Sequence, residues 1–166
     1  NINDVKSCFE NGADKILINT EAQNKNFINQ VSEIYGNQAI TIMIDYKGDN
    51  NNVFTENGTK NIHLSVDKLL NEIKMYNFGE IILHSMDKDG TGNGFDLNII
   101  NKIENLPNKP ILLMGGAGKP EHIIEALKNN KVSGAITANL LNFIGEGLKI
   151  TRNLAIENKI EIAKLT

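Results

Sequence analysis

Residues 79–96 read GEIILHSMDKDGTGNGFD and join a short apolar run to a loop of acidic residues and glycines. The apolar run has the length and composition of a buried strand, and the loop is rich in turn-forming residues. Four more runs of this kind occur along the chain. They cover residues 15–19, 39–45, 110–114 and 134–138. We therefore predict five buried strands, each followed by a polar or glycine-rich tip.

Helical patterns separate the predicted strands. They cover residues 3–11, 24–35, 65–77, 97–105, 120–129 and 147–158. Alternation of strands and helices is typical of a parallel sheet. A complete (β/α)8 barrel takes about 250 residues and eight such units, and the 166 residues provide about five of them. The expected fold class is α/β, the C-terminal portion of a (β/α)8 TIM barrel.

On this interpretation the five predicted strands are strands four to eight of the barrel. Residues 1–166 would then form one partial barrel domain that lacks the first three strands, and we expect this chain alone to be inactive. Residues 46–62 interrupt the pattern with a polar stretch in which 53–55 precede the turn signal Glu56-Asn57-Gly58. We expect a long loop that carries a small hairpin at the carboxyl end of its strand.

Composition narrows the possible partners and location. The net charge is −3, and no basic stripe interleaved with aromatic residues predicts nucleic-acid binding. No apolar run is long enough to span a bilayer and no signal peptide is evident, so we expect no membrane association. The single cysteine, Cys8, lies in the apolar pattern of a helix, where we expect it to be packed. One cysteine fits a reducing compartment, and the cytoplasm is the expected location.

Asp45 closes the apolar run at 39–45. Alternation places Thr41, Met43 and Asp45 on one face of this strand and three isoleucines on the other. If the isoleucine face packs on helices, the carboxylate points into the barrel mouth, where burial can poise a general acid/base. The alternative interpretation is an aspartate that only caps the following loop.

Two glycine-rich segments follow predicted strands. Residues 87–94 begin like a calcium loop, but the spacing of the calcium ligands is absent, so no metal site is predicted. Residues 114–120, MGGAGKP, lie between a strand and a helix and lack the phosphate-loop ending. In both segments, glycine-rich backbone after a strand can offer N–H groups to an anion such as phosphate, and in the second a helix N-terminus adds its positive end. Ordinary structural turns are the alternative.

Together these residues resemble the cyclase (HisF-type) subunit of imidazole glycerol phosphate synthase. The segments that carry the resemblance are GADKILINT at 12–20, the strand ending at Asp45, residues 79–96 and MGGAGKPEHIIEA at 114–126. The resemblance implies a barrel that uses ammonia from a glutaminase (HisH-type) partner. Its substrate would be a phosphorylated ribulosyl aminoimidazole carboxamide, converted to imidazole glycerol phosphate and aminoimidazole carboxamide ribotide without a cofactor.

The resemblance also implies roles for particular residues. Asp45 matches one of two aspartates that serve as acid and base, and the other belongs to a strand absent from this sequence. Two phosphate or substrate sites are implied, one at Gly115, Gly116, Ala138 and Asn139, and the other near Asn19, Thr20, Asp89 and Gly90. Lys15 and Glu80 match two members of a charged gate through which ammonia enters.

Several positions depart from the family pattern. Met114 and Asn139 each replace a serine, Asn142 replaces a histidine, and His84 is unusual at its strand end. His84 could titrate in the mouth or serve as a hydrogen-bonded structural histidine. These departures suit a paralogue that uses channelled ammonia for amidino modification of bacterial surface sugars. A phosphate-binding fragment without catalytic activity is the third hypothesis.

Overall fold

The computed structural model describes residues 1–138, 140 and 145–163. Seven strands form one sheet. The strands are β1 (Ile16–Ile18), β2 (Ile40–Lys47), β3 (Asn52–Thr55), β4 (Lys60–Ser65), β5 (Glu80–Ser85), β6 (Ile111–Met114) and β7 (Gly134–Ile136). The α-helices are α1 (Ile2–Glu10), α2 (Lys25–Tyr35), α3 (Val66–Ile73), α4 (Asn98–Lys102), α5 (Pro120–Leu127) and α6 (Gly147–Glu157).

The five predicted strands pair in parallel in the order β1, β2, β5, β6, β7. Strands β3 and β4 form an antiparallel hairpin, and β3 pairs with the carboxyl-terminal half of β2. This arrangement confirms the predicted α/β class and the hairpin after Asp45. Within the described residues the sheet does not close, since β1 pairs only with β2 and β7 only with β6. A parallel run of βα units is the local architecture of a (β/α)8 barrel.

Local signals in the sequence explain where the helices begin. The Asn1 side chain caps α1 and forms a capping box with Asp4, and Ser65 caps α3 through the backbone N–H of Lys68. Pro120 occupies the first turn of α5, where its missing N–H leaves no bond unmade. These starts fix the direction in which each chain segment leaves the sheet.

The two faces of β2 differ in chemical character, one aliphatic and the other partly polar. Ile40, Ile42 and Ile44 point toward the helices and are fully buried, as alternation in β2 predicts. The opposite face carries Thr41, Met43 and Asp45, with Leu17 of the neighbouring β1 exposed at 57%. The apolar core therefore lies between the sheet and its helices, and the polar strand tips lie on the other face.

The structure differs from the predictions in several places, and strand β7 ends at Ile136, two residues before its predicted end. Strand β2 continues two residues past Asp45 because β3 pairs with Tyr46 and Lys47. Helices α3 and α4 are shorter than predicted. The expected packing of Cys8 is wrong, because this residue is exposed and lines an open groove beside β1.

Candidate functional site

Asp45 lies at the carboxyl end of the parallel sheet. It sits opposite His84 in the register of β2 and β5, which brings the two side chains to the same face. The Oδ1 atom of Asp45 lies 2.8 Å from Nδ1 of His84. Asp45 is buried, and burial makes a charged carboxylate costly unless it is partnered. The imidazole of His84 is that partner.

His84 lies between two carboxylates. Its Nε2 atom lies 3.5 Å from Oδ2 of Asp89 and is buried without a hydrogen bond in the described structure. The hydrogen bond to Asp45 raises the pKa of His84, burial opposes this, and the charges of Asp45 and Asp89 raise the pKa further. The net direction is upward. His84 therefore keeps its positive charge to a higher pH than an isolated histidine.

The two glycine-rich segments interlock beside this cluster. The N–H of Gly94 donates to the carbonyl oxygen of Gly116 over 2.8 Å. A Cβ atom at Gly116 would lie 2.2 Å from the Gly94 oxygen, and its φ is +101°, a conformation that side chains rarely adopt. A Cβ at Gly115 would lie 2.5 Å from the Ser85 oxygen and 3.3 Å from the His84 ring. Only glycine fits where these backbones meet.

The interlocked segments line a cavity of about 290 Å³. Five residues named from the sequence as phosphate or substrate residues line it together with Met114: Asp89, Gly90, Gly115, Gly116 and Ala138. Asp89 and Gly90, which were expected near Asn19 at a second site, thus lie with the other group, because the loop after β5 packs against the loop after β6. Backbone without side chains can approach an oxyanion closely, and the N-terminus of α5 follows within a few residues. The cavity has the chemistry and the size to hold a phosphate group.

The remaining candidates at the strand tips lie apart from this cavity. Asn19 Nδ2 donates to the Met43 carbonyl over 3.0 Å, and the Thr20 hydroxyl accepts from the Glu56 N–H over 3.2 Å. Both residues line the groove beside the outer edge of β1. The structure therefore gives them bracing contacts to β2 and to the hairpin. Asn139 and Asn142 lie outside the described residues.

Lys15 and Glu80 meet at the opposite end of the sheet. Lys15 Nζ lies 2.9 Å from Glu80 Oε1, which also accepts a hydrogen bond from Thr41 over 2.8 Å. Burial raises the pKa of Glu80, but the hydrogen bonds from Lys15 and Thr41 and the charge of Lys15 outweigh it, so the pKa is lowered. Glu80 is thus held as a carboxylate at the amino end of β5.

Sequence reasoning missed the link between His84 and Asp45. Both residues end predicted strands that are consecutive in the chain, but their contact depends on the register of β2 and β5, which the sequence pattern does not give. Within the described residues, no group of three or more His, Cys, Asp or Glu side chains is placed to bind a metal ion. No helix in the described ranges is long and apolar enough to cross a membrane.

Comparison with known proteins shows which family this chain resembles. The family described as "Histidine biosynthesis protein" matches residues 1–146. A Sulfurisphaera tokodaii protein named imidazole glycerol phosphate synthase subunit HisF is 45% identical over 76% of this chain and 52% of its own length. A subunit of the same name from Natranaerobius thermophilus is 34% identical over 97% of the chain and 65% of its own length.

A third relative comes from Parasynechococcus marenigrum and carries the provisional name imidazole glycerol phosphate synthase subunit hisF2. It is 40% identical over 92% of the chain and 58% of its own length. The chain thus spans between about half and two thirds of the length of these relatives. Because the family match covers most of the chain, the protein belongs to the histidine biosynthesis protein family.

Proposed function

We propose that the full-length protein is an ammonia-dependent cyclase/lyase of histidine biosynthesis. It would convert the phosphorylated ribulosyl aminoimidazole carboxamide to imidazole glycerol phosphate and aminoimidazole carboxamide ribotide. The observation that carries this proposal is the position of a buried carboxylate, Asp45, next to a glycine-lined cavity. His84 joins the two, because it contacts Asp45 and packs against Gly115.

The proposal assigns a different functional role to each end of the sheet. At the carboxyl end, Asp45 moves a proton while the cavity at Gly115 and Gly116 holds a substrate phosphate. At the amino end, the ion pair of Lys15 and Glu80 admits ammonia from a glutaminase partner. The relatives named as imidazole glycerol phosphate synthase subunit HisF support the overall reaction. We expect the reaction to take place in the cytoplasm and to need no cofactor.

The test of this proposal is Asp45→Asn in the full-length protein, assayed with ammonium salts in place of the glutaminase. Asparagine keeps the size of the side chain and removes its ability to carry a proton, so turnover should fall by about 10²-fold or more. Asp49→Asn, at an exposed carboxylate in the loop after β2, is the matched control and should leave turnover unchanged. Equal turnover in the Asp45 variant and wild type would rule out Asp45 as acid/base.

A second candidate function is the surface-sugar paralogue, which would use channelled ammonia for amidino modification. Two residues favour it, since His84 and Met114 depart from the family pattern and both lie at the candidate site. The 40% identity to the protein named hisF2 also supports a paralogue. No turnover of the ribulosyl substrate by wild-type protein, together with tight binding of an amino sugar, would favour this function. If the wild-type protein binds phosphate but shows neither turnover of the ribulosyl substrate nor binding of an amino sugar, the hypothesis of a non-catalytic phosphate-binding fragment is favoured.

A further inference from the structure

The Asp45, His84 and Asp89 side chains form a graded path from the protein interior to solvent. The side chains of Asp45 and His84 are 12% and 13% exposed, whereas that of Asp89 is 59% exposed. A buried carboxylate that exchanges protons with a substrate can be resupplied by a titratable group beside it. His84 is the titratable group within hydrogen-bonding distance of Asp45.

The surroundings of His84 limit which charges act on it. Asp45 on β2 and Asp89 in the loop after β5 are the charged groups whose influence on His84 is resolved. From β6, His84 is flanked by uncharged residues, with Met114 opposite it in register and Gly115 against its ring. Each ring nitrogen thus faces one carboxylate. This arrangement stabilises an imidazolium, which can donate from both nitrogens.

We propose that His84 is a positioning residue that stores the proton exchanged by Asp45. This inference rests on the proposed acid/base role of Asp45. In the resting state His84 is an imidazolium and Asp45 a carboxylate. Proton delivery begins when the N–H bond at Nδ1 breaks and its proton moves to an Asp45 oxygen. The Asp45 carboxylic acid then gives this proton to the substrate and is again a carboxylate. His84 becomes neutral with its remaining proton on Nε2, and the stored proton returns by the same path when Asp45 next accepts one.

Asp89 has a defined part in this exchange. In the neutral state it faces the Nε2–H group, which favours the tautomer that leaves the Nδ1 lone pair directed at Asp45. The present separation of 3.5 Å is longer than a hydrogen bond. The exposed Asp89 side chain can close it by rotation, as catalytic contacts often tighten once a ligand is bound.

The first test measures the proton directly. The full-length protein is labelled with ¹⁵N-histidine, and the ring nitrogens are followed by NMR from about pH 5 to pH 9. The 166 residues contain three histidines, so His63 and His122 serve as internal references, and His84→Gln assigns the His84 signals. In Asp45→Asn and in Asp89→Asn the titration midpoint of His84 should fall, because each variant loses a carboxylate that raises the pKa of His84. An unchanged midpoint in either variant would overturn the inference.

The second test asks whether the stored proton is used. In the full-length protein, the alkaline fall of kcat should follow the His84 midpoint seen by NMR, and Asp89→Asn should move both midpoints to lower pH together. Asp89→Asn is the safer variant because its side chain is exposed. His84→Asn should lower kcat about tenfold or more while leaving KM little changed. If the alkaline midpoint of kcat differs from the His84 midpoint seen by NMR, or does not move with it in Asp89→Asn, the inference is overturned.

The two proposals fail in different ways. Absence of turnover in wild-type protein at every pH contradicts the proposed function, and the NMR titration still decides whether His84 holds a proton between the two carboxylates. If wild-type turnover is normal but the His84 midpoint in Asp89→Asn equals that of wild type, only the proposed role of His84 is contradicted. A purely structural His84 would alter stability without moving the pH profile.

Discussion

Gly116→Ala is the sharpest test of the interlocked segments that line the cavity. A Cβ atom there would lie 2.2 Å from the Gly94 oxygen and 3.1 Å from the Lys88 Cβ atom. The new methyl group would force the two segments apart and break the hydrogen bond from Gly94 N–H to Gly116. The substitution therefore tests both the strain at φ +101° and the close contact between backbones.

The expected loss in the free energy of unfolding has two parts, backbone strain and the lost hydrogen bond. A side chain at positive φ costs about 1–2 kcal/mol, and loss of one hydrogen bond costs about 1 kcal/mol. We therefore expect Gly116→Ala to lower the free energy of unfolding by about 2–3 kcal/mol. Gly48 has φ +77° with nothing within 4 Å of its ideal Cβ, so Gly48→Ala carries the strain alone. Gly145→Ala, in open space without a positive φ, should be nearly neutral.

Urea denaturation followed by far-ultraviolet circular dichroism compares the four proteins. Titration with inorganic phosphate measures binding at the cavity, and only Gly116→Ala should lose it. If Gly116→Ala costs no more than Gly48→Ala, the two segments do not interlock as described. If Gly116→Ala loses the expected stability but binds phosphate as tightly as wild type, then this cavity is not the phosphate site.

Two further predictions use the same denaturation assay. Glu80→Gln should lower the free energy of unfolding by at most about 1 kcal/mol, because Lys15 is half exposed and solvent screens the pair. The pKa of Glu80 is lowered in the folded chain, so this difference should be present above about pH 4.3 and disappear as the pH falls; a constant difference would contradict it. Tyr46→Phe removes a hydrogen bond from the buried phenol to Asp96 and should cost about 1–2 kcal/mol, whereas no change would mean that this bond contributes nothing.

The strands and their polar tips could be predicted because they depend on local pattern. An apolar run such as residues 39–45 has the periodicity of a strand, and alternation alone placed Asp45 opposite its isoleucine face. The starts of α3 and α5 also depend on local residues, since Ser65 caps α3 and Pro120 lies in the first turn of α5. Each of these features is decided within a few residues of the chain.

Contacts between distant segments could not be predicted in the same way. The hydrogen bond of Asp45 to His84 depends on the register of two parallel strands, and the two residues are 39 positions apart. Cys8 was misplaced because the pattern of α1 does not tell which apolar positions meet another element: Val5 is buried, whereas Cys8 remains exposed. The fits of Gly115 and Gly116 likewise arise from backbones that come together only in the folded sheet.

Strand β5 separates two sets of charges by an aliphatic layer. Glu80 and His84 lie on the same face, and Ile82, buried between them, pairs with Leu112 and Met43 of the neighbouring strands. At a rise of about 3.3 Å per residue, the two charged side chains start roughly 13 Å apart. The layer contains no titratable side chain, so protons are not relayed along this face of the sheet from one end to the other. A new partner could thus be accommodated beneath the sheet while the proton chemistry above it stays as it is.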